Sequence, residues 1–222
     1  MKPMKPKNVS GIILEGIAGT GKTTALKALI GRDEWKDRAF LSSVVLTEHQ
    51  TLRVLEAKKD AGIAKEDNLS LLDIHIAYLE TLTNYLSETD WLERDRSAQK
   101  VPFIFERFHL SHAYHHEHLQ WDDLLEIDQR LFNLNALVFL FTIEPEDMQE
   151  RIINDYKKNG WQDYLQTLGK NDREILDHFV KKQNELLNFA EKSKLPVMHI
   201  NSSELTSDEI VEKIITNWAF LA

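Results

Sequence analysis

The chain has 222 residues, of which 42% are hydrophobic, and this size and composition suit one α/β domain over residues 1–222. The formal net charge of −9, without a basic stripe, disfavours polymeric nucleic acid as a partner. The lack of cysteine excludes disulfides and thiolate metal sites and is compatible with a cytoplasmic location. The basic start MKPMKPK lacks the apolar segment of a signal peptide, and the longest apolar stretch, 136–143, is too short to span a bilayer.

A glycine-rich segment, LEGIAGTGKTTAL, runs from Leu14 to Leu26. Its order of Gly16, four residues, Gly21, Lys22 and Thr23 fits the phosphate-binding loop G-x-x-x-x-G-K-[ST]. Such a loop turns tightly, points several backbone N–H groups at one anion and begins a helix whose N-terminus faces the same anion. An ordinary glycine turn is the alternative interpretation, so the flanking residues decide between the two.

The flanks favour phosphate binding, since the preceding run VSGIIL at 9–14 predicts a buried strand and TALKALI at 24–30 has helical spacing. The loop is therefore predicted to bind ATP or another nucleoside triphosphate. The residues predicted to contact the nucleotide are Gly16, Ala18, Gly19, Thr20, Gly21, Lys22, Thr23 and Thr24.

Four further short apolar runs follow, at residues 39–46, 101–105, 136–141 and 196–200. They alternate with helical segments, among them a long amphipathic helix predicted to be capped by Asn68 or Ser70. Five buried runs separated by helices predict an α/β fold, a doubly wound and mostly parallel sheet with helices on both faces.

Polar residues stand directly after these runs, where the carboxyl ends of parallel strands gather ligands. Glu48 follows the second run, Glu106 and Arg107 the third, and Thr142 and Glu144 the fourth. Two carboxylates and an arginine are thus expected at the edge that carries the phosphate loop. A surface ion pair is the alternative for the adjacent Glu106 and Arg107.

Phosphoryl transfer needs a Mg²⁺ ion that bridges phosphate oxygens and cations that offset negative charge. Thr23 and Glu106 are the predicted Mg²⁺ ligands, Glu106 acting through water, and Arg107 is predicted to face phosphate. The helical region at about 145–172 is predicted to form a lid, because Gly160 and Gly169 interrupt it. Simple helix ends are the alternative for these glycines. Cations flank them and are candidates for the phosphates: Lys157, Lys158, Lys170 and Arg173.

Histidines are concentrated in one short segment, and the spacing of His112 with His115 or His116 would let two imidazoles share a metal ion. A solvated helix or a wall of the acceptor site is the alternative for this group, which comprises His109, His112, His115, His116 and His118. The neighbouring aromatic residues Phe108, Tyr114 and Trp121 are predicted to belong to the core or to a pocket wall, where one could stack on an acceptor ring.

Three stretches resemble the thymidylate kinase and deoxynucleoside kinase group of P-loop phosphotransferases. ERFHLSHAYHH, 106–116, is similar to that group's acidic-Arg-aromatic motif, with Ser111, Ala113 and Tyr114 in register. TEHQT, 47–51, looks like its T-R-E-P-G-G-T, and LFTIEPEDMQERI, 140–152, looks like its L-x-V-P-P-E-x-x-x-x-R-I passage. The similarity in order and spacing covers nearly the whole chain.

The resemblance implies a strand order of 2-3-1-4-5 and transfer of the ATP γ-phosphoryl group to a nucleoside or nucleoside monophosphate. Glu48 would be a general base for a hydroxyl acceptor, or would position a phosphate acceptor. The catalytic residues that the resemblance implies are Lys22 and Thr23 toward phosphate and Mg²⁺, Glu48 on the acceptor side, Glu106 on the metal side, Arg107 toward phosphate and Arg151 in the lid.

The chain also departs from that family. Glu48-His49-Gln50 stands where the family has R-E-P-G-G, and the helical segment 74–80 contains no arginine. Both departures remove positive charge near the acceptor. They favour an uncharged hydroxyl acceptor, or an unorthodox phosphorylated one, over thymidylate.

No N-K-x-D motif follows a late strand, so a GTPase switch is disfavoured and ATP is favoured over GTP. A kinase of a non-nucleoside metabolite and an ATP-binding regulatory protein without turnover stay open, because fold does not determine substrate. The partner predicted is a small-molecule acceptor, with neither nucleic acid nor membrane, and a homodimer is left open.

Overall fold

The computed structural model describes residues 9–39, 43–57, 62–88, 101–116 and 118–218. These residues form one parallel sheet of five strands in the order β2-β3-β1-β4-β5. The strands are β1 (Val9–Gly16), β2 (Val44–Leu46), β3 (Val101–Glu106), β4 (Ala136–Thr142) and β5 (Val197–Asn201). The predicted fold class and strand order are confirmed.

The helices lie on both sides of this sheet. They are α1 (Lys22–Gly31), α2 (Asp33–Ala39), α3 (Glu48–Thr51), α4 (Lys65–Ser87), α5 (His109–His115), α6 (Trp121–Asn133), α7 (Pro145–Met148), α8 (Asp155–Lys158), α9 (Gln162–Leu168), α10 (Asp172–Lys192) and α11 (Ser207–Asn217). A 3₁₀ turn, Arg53–Ala57, follows α3, and a π-helix, Gln149–Asn154, joins α7 to α8.

Alternate residues of the central strands enter two separate cores, which is why the strands are continuously apolar. Ile13 and Phe105 face the core formed with α4, α5, α6 and α10, whereas Ile12 and Ile104 face the core formed with α1, α2 and α11. All four side chains are fully buried. Because helices cover both faces, only the ends of the strands remain open to a ligand.

The strand register places the sequence-predicted site residues at one edge. Leu14 is aligned with Glu106 across β1 and β3, and Leu46 is aligned with Phe105 across β2 and β3. The phosphate loop after β1, Glu48 after β2 and Glu106 at the end of β3 therefore meet at the carboxyl end of the sheet.

The prediction for the second strand was wrong at its start. Ala39 ends helix α2, the described strand comprises only Val44–Leu46, and residues 40–42 lie outside the described part of the chain. Helix α2 was missed, although Asp33 and Glu34 in its first turn are a typical helix-start signal. Its Trp35 is buried against Trp218, with ring centroids 5.9 Å apart.

The predicted cap of the long helix was also wrong, because α4 begins three residues before Asn68. The backbone N–H of Ala64 donates to Asp67 Oδ2 at 3.0 Å and closes the first turn instead. Asn68 is fully buried inside the helix and donates from Nδ2 to the Ala64 carbonyl at 3.1 Å. Asparagine on its own favours a helix end, but here burial in the tertiary structure places it inside the helix.

A third core joins the segment from α7 to α9 to the phosphate loop. Ile152 and Ile153 of the π-helix and Leu165 of α9 pack with Ile17 of the loop and Phe179 of α10. The region predicted as a lid therefore lies directly beside the loop. Among the helices described, every one is too short or too polar to cross a bilayer.

Candidate active site

The loop between β1 and α1 wraps around the side chain of Lys22. The Nζ atom donates to the Ile17 carbonyl at 2.7 Å and to Thr20 Oγ1 at 3.2 Å, and the side chain is buried. Helix α1 begins at Lys22, so the N–H groups of its first turn have no partner within the helix. The loop thus combines a cation with unpaired backbone donors, as an anion site requires.

Gly19 shows why this loop needs glycine. Its φ is 73°, in the left-handed region, and a Cβ there would lie 2.6 Å from Ile152 Cγ1 and 2.9 Å from the Arg151 carbonyl oxygen. Any other residue at this position would push the π-helix away from the loop.

A cavity of about 650 Å³ opens above the loop, and we call it the donor cavity. Six predicted nucleotide contacts line it: Ala18, Gly19, Gly21, Lys22, Thr23 and Thr24. Gly16 and Thr20 do not line it. Thr20 is buried and donates from Oγ1 to the Ile17 carbonyl at 3.0 Å, so it shapes the loop from within.

The two predicted Mg²⁺ ligands are neighbours at the floor of the donor cavity. Thr23 Oγ1 donates a hydrogen bond to Glu106 Oε1, and both residues line the cavity. A hydroxyl and a carboxylate beside a phosphate loop are the oxygen donors that suit Mg²⁺ together with phosphate and water. The residues present therefore fit the ion that the sequence predicts.

Glu48 lies between two arginines at the wall of the donor cavity. Its Oε2 is 2.6 Å from Arg107 Nε, an ion pair without hydrogen-bond geometry, and its Oε1 is 3.3 Å from Arg53 Nε. Arg53, from the 3₁₀ turn, thus places positive charge beside Glu48, close to the segment 48–50 in which the sequence departs from the motif that it resembles. The expectation of less positive charge at that segment did not take Arg53 into account.

Arg107 is held by helix α5 as well as by Glu48. Its Nη1 donates to Tyr114 Oη at 2.7 Å and lies 3.4 Å from His115 Nε2. Burial disfavours the charged form of Arg107, but Tyr114 and Glu48 outweigh burial and keep the pKa of the guanidinium above its usual value. The site therefore contains a permanent, oriented cation.

A second cavity of about 570 Å³, which we call the acceptor cavity, adjoins the first. Its walls are rich in aromatic side chains: Tyr114, Tyr156, Trp161, Tyr164 and Phe179. Trp161 and Tyr164 leave 54% and 42% of their surface exposed, which is unusual for rings of this size in a cleft. Lys182 and Glu56 add charge of both signs. Such a cavity fits a ring with polar substituents.

The two cavities share one wall. The residues common to both are Ala18, Glu48, Arg53, Arg107 and Tyr156. A group held at this junction would meet the phosphate loop on one side and the aromatic cavity on the other. The arrangement can thus present two bound molecules to each other across two arginines and one carboxylate.

Arg151 also reaches the donor cavity, from the π-helix. Its Nη1 donates to the Ser202 carbonyl at 2.9 Å, and a Cβ on Gly21 would lie 3.6 Å from its Nη2. The guanidinium therefore lies against the phosphate loop, opposite Glu106 and Arg107. π-Helical turns of this kind occur frequently at functional sites.

Other polar residues that the sequence singled out lie elsewhere. Thr142 and Glu144 follow β4 but line neither cavity, and Glu144 Oε1 accepts from Asn201 Nδ2 at 2.7 Å. Lys157 pairs with Asp172 at 2.6 Å instead of facing the donor cavity. Gly169 directly follows the end of α9, Gly160 lies two residues after the end of α8, and lid closure stays a prediction.

The histidines of α5 serve mainly as buried polar links between elements. His112 lies 2.8 Å from Asn68 Oδ1 and 2.7 Å from the Thr51 carbonyl, and His109 Nε2 lies 3.2 Å from Asp128 Oδ1. Within the described ranges, no three histidine, aspartate or glutamate side chains are placed to share a metal ion. Only His115 of this group lines the acceptor cavity.

Sequence reasoning missed several residues of the site. Arg53 stands five residues after Glu48, and the aromatic residues Tyr156, Trp161 and Tyr164 interrupt an otherwise polar helical segment. The concentration of large rings in that segment was the available signal, because solvated helices carry few of them. Lys182 carried no such signal, since it lies in a charged stretch of α10.

Nucleotide binding is expected to weaken as pH rises from neutral into the alkaline range. Burial lowers the pKa of Lys22 well below its usual value, Arg107 lowers it further, and the nearby carboxylates oppose the change. A bound phosphate favours the ammonium form, so binding takes up a proton once pH exceeds the pKa of the free site.

Calorimetry across this range, in buffers of different ionisation enthalpy, measures both affinity and proton uptake. The variant Lys22→Arg stays charged and controls for titration of the nucleotide. The same pH dependence in both proteins would contradict this explanation.

The loop and the sheet together define an α/β fold with five parallel strands in the order 2-3-1-4-5, helices on both faces and a glycine-rich loop after the first strand. Among solved structures, the chain is similar to the YorR protein of Bacillus subtilis, determined in complex with phosphorylated GDP, with a TM-score of 0.59 and 16% identity over 93% of this chain and 94% of that one. It is also similar to a "putative kinase" of Chloroflexus aurantiacus J-10-fl, with a TM-score of 0.48 and 12% identity over 95% of this chain and 96% of that one. No protein-family model and no curated protein matches the sequence. At this identity the similarity to the first structure establishes the fold.

Proposed function

We propose that the protein is an ATP- and Mg²⁺-dependent phosphotransferase that transfers the γ-phosphoryl group to a small acceptor, a nucleoside or a nucleoside monophosphate. One observation carries the proposal: the cavity above the phosphate loop and the aromatic cavity share a wall that contains Glu48, Arg53 and Arg107. Direct transfer between two bound molecules requires such a junction, whereas simple ATP binding does not.

In this proposal Lys22 and the loop N–H groups hold the β- and γ-phosphates, and Thr23 with Glu106 holds Mg²⁺. A bound Mg²⁺ ion would neutralise phosphate charge and orient the transferred group. Arg107 and Arg151 approach from opposite walls and would stabilise the negative charge that spreads over the equatorial oxygens during transfer. The aromatic walls of the acceptor cavity would hold a flat ring and exclude water.

The chemistry of the acceptor determines the role of Glu48. A hydroxyl acceptor needs a base that removes its proton, and the Glu48 carboxylate at the junction would serve. A phosphate acceptor needs no strong base but needs cations, which Arg53 and Arg107 would supply. The departures from the family motif therefore do not by themselves exclude a phosphorylated acceptor.

The proposal is tested by ATP consumption with Mg²⁺ against a panel of nucleosides, nucleoside monophosphates and common hydroxylated metabolites. Guanine compounds belong in the panel because the B. subtilis fold neighbour was solved with phosphorylated GDP. GTP replaces ATP in a parallel series. Stimulation by one nucleoside or nucleotide supports the proposal, and stimulation only by another metabolite identifies a non-nucleoside kinase. ATP binding without any stimulated turnover favours a regulatory protein.

Removing the most exposed ring of the acceptor cavity is expected to weaken acceptor use selectively. Stacking of a base on an aromatic side chain contributes about 1–3 kcal/mol, so Trp161→Ala should raise the acceptor KM about fivefold or more. The KM for ATP should change little, because Trp161 lines only the acceptor cavity. Steady-state kinetics with each substrate varied in turn measure the difference. Tyr85→Ala removes an exposed ring of α4 as the control. Equal changes in both KM values would contradict this role.

A further inference from the structure

Glu15 is a buried carboxylate that neither cavity uses. It precedes Gly16 at the end of β1, and its side chain has no exposed surface. Its Oε1 accepts from the backbone N–H groups of Phe108 at 3.0 Å, Leu110 at 3.1 Å and Ser111 at 3.3 Å, and its Oε2 accepts from Ser111 Oγ at 2.5 Å. One side chain of β1 thus satisfies the start of helix α5.

Those donors need a partner because the first N–H groups of a helix have none within it. Capping is usually supplied by a residue next to the helix in sequence. Here the acceptor comes from the strand that enters the phosphate loop, more than ninety residues earlier in the chain. The contact therefore fixes the start of α5 to the residue that begins the loop.

The turn between β3 and α5 is itself strained. Arg107 has a φ of 55°, a left-handed conformation that is unfavourable for a residue with a side chain. Its N–H donates to the Leu14 carbonyl at 2.9 Å, next to the contacts of Glu15. Two consecutive residues of β1 therefore hold this turn in place.

The direction of the Arg107 guanidinium depends on the same helix. Arg107 Nη1 donates to Tyr114 Oη, and Tyr114 and His115 are the last residues of α5. A shift of α5 relative to β1 would move these partners and turn the guanidinium away from the junction. The negative charge of Glu15 also favours the cationic forms of Lys22 and Arg107, although burial still lowers the pKa of Lys22, and Tyr114 and Glu48 do more than Glu15 to raise the pKa of Arg107.

We propose that Glu15 is a positioning residue: by joining the start of α5 to the end of β1, it directs Arg107 toward the junction of the donor and acceptor cavities. Glu15 acts indirectly, through Arg107. The expected effect of Glu15 on turnover rests on the proposed function, whereas its expected effect on nucleotide affinity does not.

A double-mutant cycle on MgATP affinity tests this role without an acceptor. Glu15→Gln keeps the shape of the side chain, and Arg107→Ala removes the group that Glu15 is proposed to direct. Groups that orient metal-ligating side chains typically contribute about 10- to 100-fold, and Glu15 is proposed to orient Arg107 in a similar way, so Glu15→Gln should raise the MgATP Kd at least about tenfold. In the Arg107→Ala background the same change should raise Kd less than about twofold. Equal effects in both backgrounds, or no effect in either, would overturn the proposal.

Thermal unfolding of each variant separates positioning from loss of the fold. Should Glu15→Gln fail to fold, Ser111→Ala removes only the hydroxyl contact and is taken through the same cycle, with a smaller rise in Kd expected. An equal rise in Kd for Ser111→Ala with and without Arg107 also overturns the inference. Acceptor-stimulated turnover of the wild type is measured separately. Coupling between Glu15 and Arg107 without acceptor-stimulated turnover would refute the proposed function and retain the role of Glu15. Turnover without this coupling would refute the role of Glu15 and retain the proposed function.

Discussion

Replacement of Lys22 by alanine is expected, on the proposed function, to lower the rate of phosphoryl transfer by about 10³-fold or more, because it removes the loop cation that would bind the transferred phosphates. The fold should survive, since among the described residues the ammonium group bonds only to oxygens of its own loop, those of Ile17 and Thr20. Thr20 Oγ1 also donates to the Ile17 carbonyl, so these two oxygens keep a hydrogen bond to each other without the ammonium group. The measurement is single-turnover transfer at saturating ATP, with circular dichroism and thermal unfolding alongside.

Lys27→Ala is the matched control for this experiment. Lys27 lies one turn further along α1, is exposed and lines neither cavity. The substitution Lys27→Ala removes the same charge from the same helix as Lys22→Ala, so any general electrostatic effect appears in both variants. Transfer that persists in Lys22→Ala at the rate of Lys27→Ala would refute the assignment of the phosphate loop as the catalytic centre.

Glu106→Gln should produce the second largest loss, about 10²-fold in kcat, together with a higher Mg²⁺ requirement. The glutamine has the same shape and can still accept from Thr23 Oγ1, so the buried contact at the end of β3 is preserved. What it lacks is the negative charge that attracts a divalent cation. Titration of the rate with Mg²⁺ at constant ATP measures the change, and partial recovery at high Mg²⁺ is expected.

Glu144→Gln serves as the comparison for Glu106→Gln. Glu144 also follows a strand at the carboxyl edge, but its carboxylate accepts from Asn201 and lines neither cavity. The rate and the Mg²⁺ requirement should stay close to those of the wild type. A loss of rate in Glu106→Gln with no change in the Mg²⁺ requirement would assign Glu106 a role other than metal binding.

The fold class followed from features that are local in sequence. The central strands are short runs of apolar residues buried on both faces, such as Ile12 to Leu14, and helical spacing separates each strand from the next. The strand order came from the resemblance and is confirmed. Helix and strand boundaries differed from the prediction where tertiary contacts override local preference. Asn68 lies inside α4 because its amide bonds to Ala64 and His112 in the interior.

The candidate site likewise contains residues that were predictable from local sequence and residues that only tertiary packing brings to it. The loop residues from Gly16 to Thr23 were predictable because a phosphate loop is one continuous segment with obligatory spacing. Glu48, Glu106 and Arg107 were predictable because they end strands, and parallel strands end at one edge. Arg53 and Lys182 lie on elements that reach this edge only through the packing of helices and turns. The residues next to them in sequence do not encode that packing.

The sequence by itself determined that this chain forms a parallel sheet with a glycine-rich loop after its first strand, because periodicity and glycine spacing act over a few residues. Only the tertiary structure decided that Arg53 accompanies Arg107, that aromatic rings of the segment from α8 to α9 line a second cavity, and that Glu15 is turned away from both cavities. Those facts depend on contacts between residues as many as ninety-six positions apart. Such contacts arise from the packing of whole elements, in which many buried side chains must fit at once.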